Sequence, residues 1–167
     1  MDILSNQILK ELLPAEKDAE ALAAAPRAGK RNPVDHWSGA VLLERVAYLH
    51  KLAKLGNGSA SETLKEYPQH CAMLLFRSRD GEAEIHENFA DVFYVLDGRA
   101  TLVTGGTVAG AAQTAPGEMR GSAVEGGARQ ELRAGDVAHV PAGVPHQMLA
   151  GDEKPVTCLV IKVQEKP

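Results

Sequence analysis

The apolar positions of this chain change period near residue 57. From Ala40 to Leu55 they recur at three- and four-residue steps. Leu42, Val46, Leu49 and Leu52 share one helical face, and Gly56 offers a stop. That stripe predicts a helix packed on the rest of the fold or on a second copy. Upstream, Ile3 to Leu13 predicts a short helix ended by Pro14, because proline cannot continue a helix. Ala15 to Ala25 is helix-compatible, and Pro26 to Pro33 reads as an extended link. From Ser59 onward the period becomes two. Glu62 to Tyr67 alternates and stops at Pro68, while Cys71 to Arg77 is a nearly continuous apolar run, as in a strand covered on both faces. Arg79-Asp80-Gly81 supplies a turn, with Glu82 to His86 as the return strand. Val92 to Leu96 reads as a strand, Asp97-Gly98 as a hairpin turn, and Ala100 to Thr104 as the strand returning from it. The glycine-rich stretch from Gly105 to Gly127 predicts a long loop or irregular hairpin with a mobile tip. Asp136 to Val140, His146 to Ala150 and Val156 to Val163 complete the set. Many short strands punctuated by Gly and Pro predict an all-β barrel or jelly roll over residues 58–167, preceded by a helical extension over 1–57.

Composition narrows the class without naming a function. A chain of 167 residues, 44% hydrophobic and 24% charged, suits one ordinary globular domain. Its net charge of −4 gives no drive toward nucleic acid or an anionic membrane, which need clustered Lys and Arg. The one basic cluster, Arg27, Lys30 and Arg31, is short and lies in the link. No apolar run approaches the roughly 20 residues that span a bilayer. The stretch from Met1 to Pro14 carries Asp2 and Glu11 and does not read as a signal peptide, so the expected location is the cytoplasm. Cys71 and Cys158 are too few for a disulfide framework and read as buried free thiols.

Two segments hold the chemistry. On a strand, Glu84 and His86 point the same way, and Asp91, Phe93 and Val95 share a face of the next strand. If that face is interior, one imidazole and two carboxylates meet at one end of the barrel. In the second segment, Pro141 and Gly143 force a tight turn, and His146 then starts a strand aimed back across the barrel. A nitrogen and oxygen donor set suits Zn, Fe, Mn or Ni better than a thiolate-seeking ion, and two His with a carboxylate leave positions open for substrate or dioxygen. The other histidines carry weaker expectations. His139 reads as a packing or interface residue. His36, His50 and His70 have no partner at useful spacing, and His50 is expected to face solvent. Glu118 and Arg120 fall in the glycine-rich segment and are expected in a solvated loop, the alternative being a lid salt bridge or a contact with a ligand.

These two segments resemble the two motifs of the cupin superfamily, and the resemblance covers roughly residues 60–165. The first cupin motif reads Gly-x5-His-x-His-x3,4-Glu-x6-Gly. Here Asp91-x6-Gly98 matches its end with Asp for Glu, His86 falls on the second His, and Glu84 stands where the first His is expected. The leading Gly is out of register. The second motif, Gly-x5-Pro-x-Gly-x2-His-x3-Asn, is matched by Gly135, Pro141, Gly143 and His146, with Ala150 in place of Asn. The resemblance implies a cupin jelly-roll barrel and a divalent metal held by His86, His146, Glu84 and Asp91. Because Asp is one methylene shorter than Glu, Asp91 is expected to need a backbone shift to reach an ion. The alternative is a barrel without metal, in which the same residues form a hydrogen-bonded polar pocket. The implied functions are a small-molecule metalloenzyme, oxygenase- or isomerase-like, or a non-catalytic cupin that binds a small ligand. A third possibility is a structural barrel acting through its partner. Cupins often pair through their sheets, so a homodimer is expected, with Val156 to Val163 as the pairing edge.

Overall fold

The switch from helical to alternating pattern is also the switch in structure. The computed structural model describes residues 34–150 and 155–165. The helices expected at Ile3–Leu13 and Ala15–Ala25, the link and its basic cluster lie outside the described residues. Helix α1 (Gly39–Leu55) opens on Ser38, whose hydroxyl oxygen accepts from the Val41 amide at 3.3 Å. Its far end closes through the Gly58 amide, which donates to Ala53, and the left-handed residue is Gly58 rather than Gly56. Leu49 and Ala53 are buried, and Leu42, Val46 and Leu52 pack beside them on Leu74 and Phe76. Full burial of a side chain such as Leu49 contributes roughly 1.5–3 kcal/mol. His50 does not face solvent as expected. Its ring lies 3.9 Å from that of Phe76, because residue 50 is one turn on from Val46 and borders the same apolar face.

The strands form a curled, ten-stranded sheet of the jelly-roll type. Its path begins with β1 (Ser59–Glu66), β2 (His70–Arg77), β12 (Val156–Gln164) and β4 (Phe89–Thr104). It continues through β11 (His146–Leu149), β3 (Ala83–His86), β7 (Glu118–Gly121) and β6 (Ala112–Ala115). Strands β9 (Ala128–Arg133) and β10 (Val137–Val140) also pair with β4, while β5 (Thr107–Ala109) and β8 (Ala123–Glu125) form a small ribbon. The apolar run in β2 is covered on both faces as its sequence predicts. Leu74 and Phe76 meet α1, whereas Leu75 joins the interior core with Phe93, Val95, Met148, Cys158 and Val160. Burial pushes the Cys158 thiol up to about 12, against a smaller opposing effect of Arg77, so it is an inert core group. Cys71 is also a free thiol but is only half-buried.

Three further expectations are corrected. Asp97-Gly98 is not a hairpin turn, because β4 runs unbroken for 16 residues. Its first part pairs with β12 and β10 and its last part with β9 and β11. The crossing falls at Gly98, where φ is +79° and a side chain would collide with the Pro155 carbonyl. The turn-forming dipeptide therefore marks a bulge that lets one strand serve both halves of the barrel. For the stretch from Gly105 to Gly127 the long-loop reading falls and its alternative, an irregular hairpin, holds. It folds into β5 to β8, with β6 paired to β7 and β5 to β8, and glycines such as Gly110 and Gly117 occupy the left-handed turns between them. Finally, β12 cannot be a pairing edge, since it is hydrogen-bonded on both sides, to β2 and to β4.

Candidate metal centre

Alternation along the strands aims the chemistry inward. In β3, Glu84 and His86 share one face. In β4, Asp91 is in phase with the buried Phe93 and Val95, and in β11, His146 is in phase with Met148. His86, Asp91 and His146 are only 2%, 3% and 4% exposed. Register then brings them together, because His146 lies directly opposite Glu84 across the β11–β3 pair. The turn before His146 is stitched to the same place. The Gly143 amide donates 2.8 Å to the His86 carbonyl, and Gly143 has a φ of +83°. The two imidazole centroids are 5.2 Å apart.

Four donor atoms converge, all within 4.8 Å of one another, one each from Glu84, His86, Asp91 and His146. His86 Nε2 is 3.3 Å from Glu84 Oε2 and 3.4 Å from Asp91 Oδ2. His146 Nε2 is 4.0 Å and 3.5 Å from the same two oxygens. An ion with ligands at roughly 2.0–2.2 Å in tetrahedral array spaces them about 3.3–3.6 Å apart. Asp91, despite its shorter side chain, therefore puts Oδ2 at ligand spacing from both rings.

Each of the four groups has its outer atom held by a neighbour. His86 Nδ1 lies 2.5 Å from Glu118 Oε2, and His146 Nδ1 donates 3.1 Å to the Val144 carbonyl. Glu84 Oε1 accepts from Arg120 and, at 3.4 Å, from Arg77 Nη2. Asp91 Oδ1 accepts from Lys162 Nζ at 2.9 Å. With its Nδ1 donating, His146 presents the Nε2 lone pair inward, and that buried atom has no hydrogen-bond partner among the described residues. Outer partners that orient imidazoles and carboxylates are what metal ligands require. The donor set and the orphaned Nε2 fit a divalent ion.

Electrostatics tie the four groups to one another. Burial alone would raise the Glu84 carboxyl, but the hydrogen bond with His86 and the charges of Arg120, Arg77 and His146 outweigh it and hold it at about 2. Burial likewise opposes ionisation of Asp91, yet the two imidazoles of His146 and His86 beside it and the charge of Lys162 hold it well below the ordinary carboxylate range. His86 is pulled down by burial but raised to about 9 by Asp91 and Glu84, with Lys162 opposing. Its protonated ring donates from Nε2 toward the two carboxylates. Its neutral ring offers Nε2 as an acceptor, which Lys162 Nζ reaches at 2.8 Å.

The supporting residues were the harder part to read. Glu118 and Arg120, expected in a solvated loop with a ligand contact as the alternative, lie on β7, directly opposite His86 and Glu84. Lys162 lies directly opposite Asp91. Its signal was present, because it continues the alternation of the buried Val156, Cys158 and Val160. Arg77 is likewise in phase with Met73 and Leu75. Gln147 faces the other way from His146 and ties β11 to its surroundings, donating to the Gly81 and Ser122 carbonyls and accepting from the Val124 amide. His139 is exposed and lies 3.4 Å from Glu165. A cavity of about 170 Å³ opens beside the cluster, lined by Arg77, Arg120 and Lys162 and by apolar side chains that include Met73, Phe93 and Met148.

Comparison with known proteins bears on the family. A family model described as a cupin domain matches residues 115–162, a span that holds His146 and Lys162. No curated protein sequence matches the chain. Among solved structures, TT1209 from Thermus thermophilus is 18% identical, with 68% of this chain and 93% of that one covered at a TM-score of 0.48. The polyketide cyclase RemF from Streptomyces resistomycificus is 18% identical over 66% of this chain and 68% of its own, at 0.47. KdgF from Halomonas sp. is 15% identical over 67% and 84%, at 0.48. With a cupin-domain match over residues 115–162, a jelly-roll sheet and the residues of both motifs gathered at one end of it, this chain is similar to the cupins in that segment and in its fold.

Proposed function

We propose that this protein is a mononuclear metalloenzyme acting on a small molecule in the cavity beside its ion. His86 Nε2, His146 Nε2, Glu84 Oε2 and Asp91 Oδ2 hold the ion. The observation that carries this reading is the orphaned, buried Nε2 of His146 aimed at two carboxylate oxygens. A nitrogen and oxygen set of this kind suits Zn, Fe, Mn or Ni. When bound, the ion supplies Lewis acidity toward a substrate oxygen, or redox chemistry with dioxygen if it is iron. The chain's own residues do the rest. Glu118 and Val144 fix the ring orientations, Arg77 and Arg120 steady Glu84, and the apolar wall excludes water. Oxygenase-like and isomerase-like reactions both suit this arrangement.

One observation favours a second reading, a cupin that binds a small ligand without metal or catalysis. Lys162 Nζ reaches both His86 Nε2 and Asp91 Oδ1, so an ammonium already serves two of the four groups. Elemental analysis of protein purified without chelators separates the two. The wild type is expected to carry close to one ion per chain, and His86→Ala and His146→Ala to lose it, while His50→Ala keeps it. Equal metal content in all four proteins would refute the ligand assignment. Self-association as a homodimer belongs to the same proposal. Strand β1, which pairs with β2 alone among the described residues, is a strand open to it. Light scattering that gives the mass of one chain would remove this part.

A further inference from the structure

The cavity beside the four ligands carries more positive charge than its carboxylates can balance once an ion is present. Glu84, Asp91 and Glu118 face Arg77, Arg120 and Lys162, and these six side chains cancel. With neutral imidazoles, the two charges of a divalent ion are then left over in a buried site. Glu82, 3.9 Å from Arg120, is 70% exposed and is screened by water at the rim. An uncompensated buried charge is costly. Arg77 adds an unused donor, because its Nε is buried and has no hydrogen-bond partner among the described residues. Its guanidinium lies over Gly81, where a methyl group would meet it at 2.5 Å, so that glycine makes room for the arginine.

We infer that the ligand of this cavity is a small carboxylic acid. Its carboxylate lies against Arg77, Arg120 and Lys162, and its carbon skeleton lies on Met73, Phe93 and Met148. The inference rests on the metal reading above and names the substrate class for that site. A planar carboxylate matches the guanidinium fork, which donates two parallel hydrogen bonds. The apolar wall asks for carbon, which inorganic phosphate lacks. A cavity of about 170 Å³ is smaller than the roughly 300–1,000 Å³ of drug-sized sites, so the acid has few atoms.

The test uses the full chain, loaded with whichever of zinc, manganese, iron(II) or nickel it retains, its content measured first. Calorimetric titration then compares malonate, malonamide and inorganic phosphate. Malonate is expected to bind at least about tenfold more tightly than malonamide, since hydrogen bonds to charged groups are roughly twice as strong as neutral ones, and more tightly than phosphate, which has no carbon to lie on the apolar wall. Stripping the ion with a chelator should weaken malonate. Arg77→Gln should lower malonate affinity about tenfold when compared with wild type at equal measured ion occupancy, while Arg120 still holds Glu84. If thermal melting shows that Arg77→Gln does not fold, Arg120→Gln takes its place at equal measured ion occupancy, Arg77 then remaining on Glu84. A chain that retains no ion overturns the metal reading and this inference with it. A chain that holds its ion but binds malonamide or phosphate as well as malonate overturns the inference alone, as does a folded arginine variant with undiminished malonate affinity.

Discussion

Replacing Glu118 with Gln removes one charge from the outer side of His86 and leaves the shape of the site in place. In the wild type, the Nδ1 proton is held by a carboxylate oxygen at 2.5 Å, a short charge-assisted bond made across the β3–β7 pair. The amide oxygen of Gln can still accept that proton, so the ring keeps its orientation and Nε2 still faces the cluster. What is lost is the negative charge that makes Nε2 a stronger donor to a cation. Loss of such an outer partner costs about 10–100-fold in metal affinity, or about 1.4–2.7 kcal/mol. Fold stability should change by less, because the Glu118 side chain is 30% exposed and the exchange leaves no buried group unpaired. Competition with a chromophoric chelator gives the affinity, and thermal melting of the stripped protein gives the control. Glu118→Ala should cost at least as much affinity as Gln, since it also frees the ring to turn. If Glu118→Gln binds metal within twofold of wild type, the carboxylate does not support His86 and the assignment of β7 to the site is wrong.

Other outcomes follow from the same geometry. Gly98→Ala should destabilise the fold by about 3 kcal/mol or more in chemical denaturation, because it combines a left-handed backbone with a collision at the Pro155 carbonyl; a change below about 1 kcal/mol would refute the bulge. Lys162→Met should raise metal affinity at least about tenfold, since it removes both a competitor for His86 Nε2 and a positive charge beside the ion; a fall would favour the metal-free reading. In the stripped protein, the lowered pKa of Glu84 contributes stability that is present above its ordinary value of 4.5 and is lost as pH falls toward about 2. The raised pKa of His86 works oppositely, present below 6.5 and lost as pH rises through about 9. Each is worth about 3 kcal/mol and both reflect the same contacts, so they do not add. Denaturation between pH 3 and 10 should therefore give a maximum between the two limits, and a flat profile would contradict the coupling.

The convergence of the four donor groups was legible because it depends on alternation within a strand. Glu84 and His86 are two residues apart, and Asp91 keeps phase with Phe93 and Val95, so a reader of the chain needs only the period. The supporting set depends on register between strands, which no local pattern encodes. Glu118, Arg120 and Lys162 reach the site because they fall opposite His86, Glu84 and Asp91. The glycines around Glu118 argued for a loop, since glycine weakens a strand and frees a turn with equal ease. They proved to be the turns of a strand cluster. Asp97-Gly98 misled in the reverse sense: a left-handed glycine suits a hairpin and a bulge alike, and only the partner strands distinguish them. Lys162 and Arg77 were readable in principle. A charge that closes an inward apolar alternation has either a buried partner or a ligand, and here it has the first and, by the inference above, the second.

Register also explains why the site resists gradual loss. A one-residue slip of β7 against β3 would turn Glu118 and Arg120 to the opposite face together, and a slip of β12 against β4 would do the same to Lys162. The barrel would keep its hydrogen bonds in either case but would bury carboxylates without their cations, at a cost of several kcal/mol for each unpaired charge. The charged pairs therefore stabilise the one strand alignment in which the four donor groups meet. Their removal is expected to act on register before it acts on chemistry. In the double variant Glu118→Ala, Arg120→Ala, hydrogen exchange should quicken in β7 and β3 while β2 and β12 stay protected. Uniform protection across all four strands would show that the pairs serve the site alone.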